Sequence, residues 1–417
     1  MDPNAKTGWK RDISVFLASQ VISMLGSSLV QYAIMWHITL TTQSGVMMTI
    51  AIICGILPAF FLSPFGGVWA DRYERKRLIV LSDSLIAVTT LILAALFSFG
   101  YDMIWLLFGA TAIRALGTAV QTPAVAAFIP QIVPEDKLMK VNAANGTIQA
   151  FVNLTAPLLS GALLTVSTIV SIFYIDIFTA AIAVAILVVS LHVPAHAKAM
   201  ERQATGYFAD MREGWSYITH HGFVKRFFLY FAVFFILVTP VAFLTPLQVA
   251  RSFGEDVWRL AATEITFSVG LILGGVVMAS WGGYRNRIHT MALASLVIGG
   301  CTVALGTIPV FWIYLVFMGV IGIFMPLFNT PSLVLLQEKV EPDFMGRVFG
   351  VFTMISTSMM PLGMLVFGPL ADIVRIEWLL TGTGALMFLQ GFFLVGNRVL
   401  VDAGEPGPVA EDCPQPD

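Results

Sequence analysis

Long apolar runs alternate with short polar breaks along almost the whole chain. A helix needs about 20 apolar residues to cross the hydrocarbon core of a bilayer, and twelve runs come close to that length or exceed it. The pattern therefore predicts an all-α integral membrane protein with twelve transmembrane helices, at residues 13–36, 45–69, 78–99, 103–127, 141–165, 169–193, 227–249, 261–281, 289–308, 310–335, 347–371 and 377–397.

The positively charged residues indicate how these helices are oriented. Lys and Arg are retained on the cytoplasmic side of a membrane. If both termini are cytoplasmic, the inner segments hold 19 of the 23 Lys and Arg residues, and only Arg114 lies away from the ends of a predicted span. The sequence therefore predicts a multi-pass protein with both termini in the cytoplasm.

A repeat relates the two halves of the chain. The segment QTPAVAAFIPQIVPE (121–135) matches NTPSLVLLQEKVEPD (329–343) at an offset of 208 residues, and GGV at 66–68 returns at 274–276. The sequence therefore predicts two pseudo-symmetric six-helix bundles with a central cavity between them. The predicted divisions are an N-terminal bundle at 1–193, a cytoplasmic linker at 194–226, a C-terminal bundle at 227–397 and a disordered acidic tail at 398–417.

Composition narrows the class of function. Hydrophobic residues make up 57% of the chain, and the net charge of −2 offers no basic patch for nucleic acid. The three cysteines lie far apart and no His or Cys cluster has metal-ligand spacing, so we expect no metal or cofactor. A phosphate-binding Gly-Lys loop and a zinc-binding HExxH motif are absent, which argues against an ATP-driven pump and an enzyme. A secondary transporter, expected to be a monomer, fits the repeat and the sparse interior charge.

Six charged residues crowd into the loop between the second and third predicted spans, within FGGVWADRYERKRLIV (65–80). Here a carboxylate can face a helix N-terminus, and cations can bind carbonyl ends or carboxylates. Such contacts can hold two bundles together and release when the bundles move, and the pair Gly66 and Gly67 would permit close packing. The alternative is that the cations only fix the topology. The residues predicted to form this gating loop are Gly67, Asp71, Arg72, Arg75 and Lys76.

This loop motif, together with six plus six spans and a central polar linker, resembles the major facilitator superfamily over nearly the whole chain. The segments RALGTAVQTP (114–123), ATEITFSVG (262–270) and QEKVEPDFMGRVF (337–349) are similar to the macrolide-efflux branch of its drug:proton antiporters. The resemblance implies an exporter of amphipathic drugs in a bacterial cytoplasmic membrane, with macrolides as the leading substrates, driven by proton entry through alternating access. The alternative is export of a siderophore or another endogenous metabolite.

Arg114 lies roughly halfway along the fourth predicted span, where an isolated charge costs about 2.5–3.5 kcal/mol. It must therefore face the interior of a bundle and have a partner. We predict that it binds substrate or tunes the proton affinity of a carboxylate. The alternative is a buried structural ion pair.

Three carboxylates lie within the predicted spans and away from their terminal residues: Asp83, Asp176 and Glu264. A buried carboxyl group can exchange a proton when its exposure changes, which makes all three candidates for proton coupling. Glu264 and Asp176 are equal candidates for the proton carrier. Asp83 lies close to the basic loop and is predicted to pair with Arg75 or Lys76. Each of the three could instead snorkel or cap a helix.

Neutral amides within the spans add hydrogen-bonding groups. Spans that line a cavity carry such groups, whereas lipid-facing spans do not, and hydrogen bonding between helices is the alternative. The aromatic segment YFAVFF (230–235) could line a substrate pocket, although most aromatic bulk is expected to face lipid. The predicted substrate-cavity residues are Arg114, Gln20, Gln31, Asn153 and Asn329.

Overall fold

The computed structural model describes residues 9–191, 222–341 and 344–405, and every regular element within them is helical. Among the described residues, twelve helices are long and apolar enough to cross a membrane, as the hydrophobic pattern predicts. A short helix, α13 (Arg398–Gly404), follows them. The twelve are α1 (Trp9–Thr42), α2 (Gly45–Arg72), α3 (Arg75–Ser98), α4 (Ile104–Ile132), α5 (Leu138–Val166), α6 (Ile169–Ser190), α7 (Gly222–Phe253), α8 (Val257–Trp281), α9 (Arg287–Leu305), α10 (Phe311–Lys339), α11 (Met345–Ile373) and α12 (Ile376–Gly396).

The helices form two compact units. The first contains Met1–Gln203 with Gly254–Ile265, and the second contains Ala204–Phe253 with Thr266–Asp417. In the first unit α1 packs on α5 and α6, α2 packs on α4, and α3 packs on α4 and α6. In the second unit α9 packs on α10 and α12, and α7 packs on α11. The predicted linker at 194–226 lies outside the described residues except for its last five, which belong to α7.

The sequence repeat lies at matching places in the two halves. Helices α4, α5 and α6 begin at residues 104, 138 and 169, and α10, α11 and α12 begin at residues 311, 345 and 376, so each pair is 207 residues apart. Pro123 is the twentieth residue of α4 and Pro331 is the twenty-first residue of α10. The proline motif therefore marks the same part of the fourth helix in each half.

The first glycine of each GGV segment lets two helices pack closely. Gly66 of α2 lies against the backbone oxygen of Ala119 in α4, and Gly274 of α8 lies against the backbone of Ile323 in α10. A Cβ atom at either position would clash with that backbone. A Cβ atom at Gly67 would meet nothing within 4 Å. The close packing predicted for the pair therefore depends on Gly66 and not on Gly67.

The aromatic segment at 230–235 is buried within the second unit. Phe234 stacks on Phe328 of α10 with ring centroids 3.8 Å apart, and Phe231 packs on Phe352 of α11 at 4.4 Å. Phe231 and Phe234 are 1% and 0% exposed. For these residues the expectation of a lipid-facing surface is wrong, because the rings fill the interface where α7, α10 and α11 meet.

The beginning of the predicted acidic tail is ordered as α13. Leu400 is 2% exposed, and Asn286, which precedes α9, donates from Nδ2 to the carbonyl oxygen of Val401 at 2.8 Å. Lys339 at the end of α10 donates to the carbonyl oxygen of Glu405 at 3.2 Å. The prediction of disorder is therefore wrong for residues 398–404, because apolar burial and hydrogen bonds fix this segment. The tail beyond residue 405 lies outside the described residues.

Candidate functional site

Arg114 and Asp176 form a buried ion pair between α4 and α6. Arg114 Nη1 lies 2.7 Å from Asp176 Oδ2, and Arg114 Nη2 donates to the carbonyl oxygen of Ser27 in α1 at 3.2 Å. Arg114 Nη1 also donates to the hydroxyl of Thr90 in α3. Asp176 is 0% exposed and Arg114 is 9% exposed. The pair thus connects four helices of the first unit, which matches the structural alternative for Arg114.

Both carboxylate oxygens of Asp176 accept hydrogen bonds. Thr90 Oγ1 donates to Oδ2 at 2.9 Å, and Ser27 Oγ donates to Oδ1 at 3.4 Å. Hydrogen bonds that involve a charged partner are shorter and stronger than those between neutral groups. The Asp176 carboxylate is therefore held by one guanidinium and two hydroxyl donors from three other helices.

Asp83 has a different environment on α3. Ser23 Oγ in α1 donates to Asp83 Oδ1 at 3.2 Å, and Gln121 Nε2 in α4 donates to the same oxygen. Asp83 is 2% exposed, and its Oδ2 atom has no hydrogen-bond partner within the described part of the chain. The carboxyl group is therefore buried among neutral donors.

The predicted pairing of Asp83 with Arg75 or Lys76 is wrong, because both cations bind backbone carbonyls instead. Arg75 donates from Nε to the carbonyl of Ala70 at 3.1 Å and from Nη1 to the carbonyl of Ala127 at 2.9 Å.

Lys76 donates to the carbonyl of Leu191 at 2.6 Å, just past the end of α6. The last carbonyls of a helix carry partial negative charge and lack partners within the helix, so they attract such cations. The cations at the start of α3 therefore cap the ends of α2 and α6, and Arg75 also binds a carbonyl in the last two turns of α4.

The other charged residues of this loop have different surroundings. Arg72 is exposed at the end of α2. Asp71 lies in the last turn of α2, and its side chain lies outside what the structure describes. Arg77 forms an ion pair with Glu74, and the Arg77 side chain is 80% exposed. The carbonyl contacts predicted for the loop are present at Arg75 and Lys76, and the gating role stays a prediction.

Glu264, the eighth of the 25 residues of α8, has a free carboxylate. It is half-buried, and among the described residues it has neither a hydrogen bond nor an ion pair. Its charge acts on the phenol of Tyr32 in α1, and the Tyr32 ring lies 5.5 Å from the ring of Trp36. Of the three predicted carboxylates, Glu264 is the most accessible, since Asp83 and Asp176 are almost completely buried.

The predicted cavity amides fall into two groups. Gln20 is 2% exposed and its Nε2 atom has no partner in the described residues, so it lies in the interior of the first unit. Gln31 and Asn153 are exposed, and Asn329 is half-buried.

Asn153 belongs to a polar stripe on α5. Four amide side chains follow one another at intervals of three or four residues, so they share one face of the helix. Lipid does not hydrogen-bond to amides, so this face fits contact with water or a polar substrate. The stripe consists of Asn142, Asn145, Gln149 and Asn153.

Sequence reasoning missed the hydroxyl partners of the buried charges. Thr90 follows Asp83 by seven residues and therefore shares its face of α3, and Ser27 follows Ser23 by four residues on α1. This spacing is a signal that polar side chains line one interior face of each helix. It does not show which hydroxyl meets which carboxylate, since the partners lie on different helices.

Comparison with known proteins places these features in a wider group. The family model described as Major Facilitator Superfamily matches residues 14–364. Macrolide efflux protein A of Streptococcus pyogenes is 27% identical over 379 residues, which cover 90% of this chain and 93% of that protein. The Staphyloferrin A transporter of Staphylococcus aureus is 23% identical over 396 residues, which cover 92% of this chain and 96% of that protein. A crystal structure of the nucleoside transporter NupG superposes with a TM-score of 0.67 over 92% of this chain and 98% of the NupG chain. The sequence identity is 14%, so this similarity supports the fold alone.

Proposed function

Because the chain belongs to the Major Facilitator Superfamily, we propose that it is a secondary active exporter of amphipathic drugs, with macrolide-type antibiotics as substrates, coupled to proton entry. The observation that carries the proposal is the similarity to Macrolide efflux protein A over nine-tenths of the chain. The absence of a phosphate-binding loop in the sequence fits a transporter driven by an ion gradient.

Two features of the first unit suit a large amphipathic substrate. The amide stripe on α5 offers hydrogen-bond donors and acceptors without charge, and it includes Gln149 and Asn153. Glu264, in the region of Tyr32, offers a carboxylate without a partner among the described residues. This carboxylate can bind a cationic amine or a proton. Exposed polar groups on otherwise apolar helices are expected along a substrate path.

We place the protein in a bacterial cytoplasmic membrane as a monomer with both termini inside, following the distribution of Lys and Arg. Alkaline phosphatase fused after residue 405 should be inactive in this orientation, since that enzyme matures only outside the cytoplasm. High activity of the fusion would place the C-terminus outside and overturn the orientation.

The transport proposal is tested by drug accumulation in cells with and without a proton uncoupler. Cells that make the protein should accumulate less macrolide than cells that do not, and the uncoupler should abolish the difference. A proton entering down a membrane potential of 100 mV supplies about 2.3 kcal/mol, or nearly a 50-fold concentration ratio. An equal accumulation in both cell types would contradict macrolide export.

A second candidate function is export of a siderophore or another endogenous metabolite. The observation in its favour is the similarity to the Staphyloferrin A transporter over 92% of the chain. Purified protein in inverted vesicles separates the two, because a proton gradient should drive uptake of the true substrate only. Uptake of an iron-free siderophore without uptake of a macrolide would select this second function.

A further inference from the structure

The interior of the first unit contains two acidic residues with opposite surroundings. Asp176 meets the guanidinium of Arg114 at 2.7 Å, whereas the hydrogen bonds that the described residues make to Asp83 come from the neutral side chains of Ser23 and Gln121. Both carboxyl groups are removed from solvent, with 2% exposure at Asp83 and none at Asp176. The two sites therefore differ in whether a positive charge accompanies the acid.

Polar atoms without partners lie on two of the helices that meet at Asp83. Within the described part of the chain, the Oδ2 atom of Asp83 has no hydrogen bond, and neither does the Nε2 atom of Gln20, one turn before Ser23 on α1. Buried polar atoms without partners are rare in folded proteins, and each calls for a physical explanation. If Asp83 were ionised here, two neutral donors would bind its Oδ1 atom, and its Oδ2 atom would have no hydrogen bond from the described residues.

Burying a carboxylate without a counter-charge is far more costly than burying the neutral acid, so the group takes up a proton instead. We propose that Asp83 is a proton-binding site, held as the neutral acid in this conformation, and that the transported proton binds there rather than at Asp176. This inference rests on the proposed proton coupling.

The charged groups around Asp83 are consistent with this assignment. From α6 and α4 the nearest are Asp176 and Arg114, which neutralise each other at the level of Thr90, about 10 Å further along α3. In the other direction, Lys76 binds the carbonyl of Leu191. Helix α1 contributes only Ser23 and Gln20, which are neutral.

The chemical step involves one bond. When the site opens to water, Asp83 Oδ2 accepts a proton from a hydronium ion, forming an O–H bond and leaving a neutral water molecule. On release the same O–H bond breaks and the proton returns to water on the other side. Ser23 and Gln121 bind Oδ1, so they can stay in place while Oδ2 changes state.

Infrared spectroscopy of the purified, reconstituted protein without drug tests the site directly. A neutral carboxylic acid in an apolar site gives a carbonyl band separate from the carboxylate bands. The parent should show such a band, which disappears as the pH is raised. Asp83→Asn should lose one carboxylic acid's share of its intensity, whereas Asp176→Asn should keep that share. A full band in Asp83→Asn, or no band in the parent, would overturn the proposal.

Two milder variants test the proposal even if Asp83→Asn fails to fold. Ser23→Ala and Gln121→Leu each remove a donor that favours the charged form, so the band should persist to higher pH in both. An unchanged titration in both variants would contradict the assignment. Because no drug is present, this experiment can succeed even if macrolide transport fails, so the two proposals fail separately.

Discussion

The two halves of the protein place different chemistry at the same helical positions. At the offset of 208 residues set by the proline motif, Arg114 of α4 corresponds to Gly322 of α10. Asp176, the eighth residue of α6, corresponds to Thr383, the eighth of α12. All four are buried. An ion pair in the first half is therefore replaced by a glycine and a hydroxyl in the second.

The two halves also differ at the position of Asp83 on the third helix of each half. Asp83 and Ser295 are the ninth residues of α3 and α9. Gln121, which binds Asp83, corresponds in the repeat to Asn329, so the amide is kept. In the second half the hydroxyl of Tyr230 donates to Ser295 Oγ at 3.1 Å. A carboxyl group in the first half has therefore become a hydroxyl in the second.

The halves agree where backbones touch and differ where side chains fill space. Gly66 and Gly274 keep the same close contact between the second and fourth helices of each half. A buried ion pair contributes little net stability compared with good apolar packing. The first half therefore retains buried charge at a cost in desolvation, whereas stacked aromatic rings occupy the interior of the second half.

The largest effect should come from breaking the ion pair on one side. Asp176→Asn leaves the Arg114 charge buried without an anion, and we expect a loss of about 3–5 kcal/mol in unfolding free energy. The matched change in the second half, Thr383→Val, removes only a hydroxyl and should cost about 1 kcal/mol. Unfolding of the purified variants in detergent measures both losses.

The double variant Arg114→Met with Asp176→Leu provides the control for that comparison. Replacing a buried pair with apolar residues of similar size is often neutral, so stability should return while transport does not. Equal stability of Asp176→Asn and Thr383→Val would show that the two halves do not differ as proposed.

The buried aromatic cluster around Phe234 and Phe328 in the second half should lose stability when a ring is removed. Phe234→Ala removes a fully buried side chain stacked on Phe328, and we expect a loss of about 3 kcal/mol in the same unfolding assay. Phe393→Ala is the control, since this ring on α12 is 75% exposed and should matter little. Similar losses for both variants would mean that the buried cluster is not the stabilising core of the second half.

Stability and transport should depend on the charge of Arg75, the first residue of α3. Arg75→Ala removes hydrogen bonds to two helix-end carbonyls, and we expect a loss of about 1.5 kcal/mol in stability together with slower transport. Arg77→Ala removes an exposed ion pair worth about 0–1 kcal/mol. Normal transport by Arg75→Ala at equal abundance would leave the loop with a role in topology only.

The corresponding helix of the second half begins with a neutral cap, and its loss should have the smallest effect. Asn286 accepts from the backbone nitrogen of Ile288 at 3.0 Å and also donates to Val401. Asn286→Ala should lower the unfolding free energy by about 1 kcal/mol and loosen α13, which limited proteolysis would reveal. Arg285→Ala, next to it and exposed, is the control. Unchanged proteolysis of Asn286→Ala would show that α13 is held by its other contacts, the burial of Leu400 and the hydrogen bond of Lys339 to Glu405.

The sequence by itself determined the twelve spans, the repeat and the need for a partner at Arg114. These follow from local rules, since about 20 apolar residues cross a bilayer and a charge within it must be paired. Only the tertiary structure decided that the partner is Asp176, 62 residues away, and that Asp83 meets Ser23 and Gln121 instead of the basic loop. It likewise decided that the rings at 230–235 face the interior. Hydropathy and spacing show which face of a helix is polar, but hydrogen bonds and ring stacking depend on which helices become neighbours, and helix packing sets that.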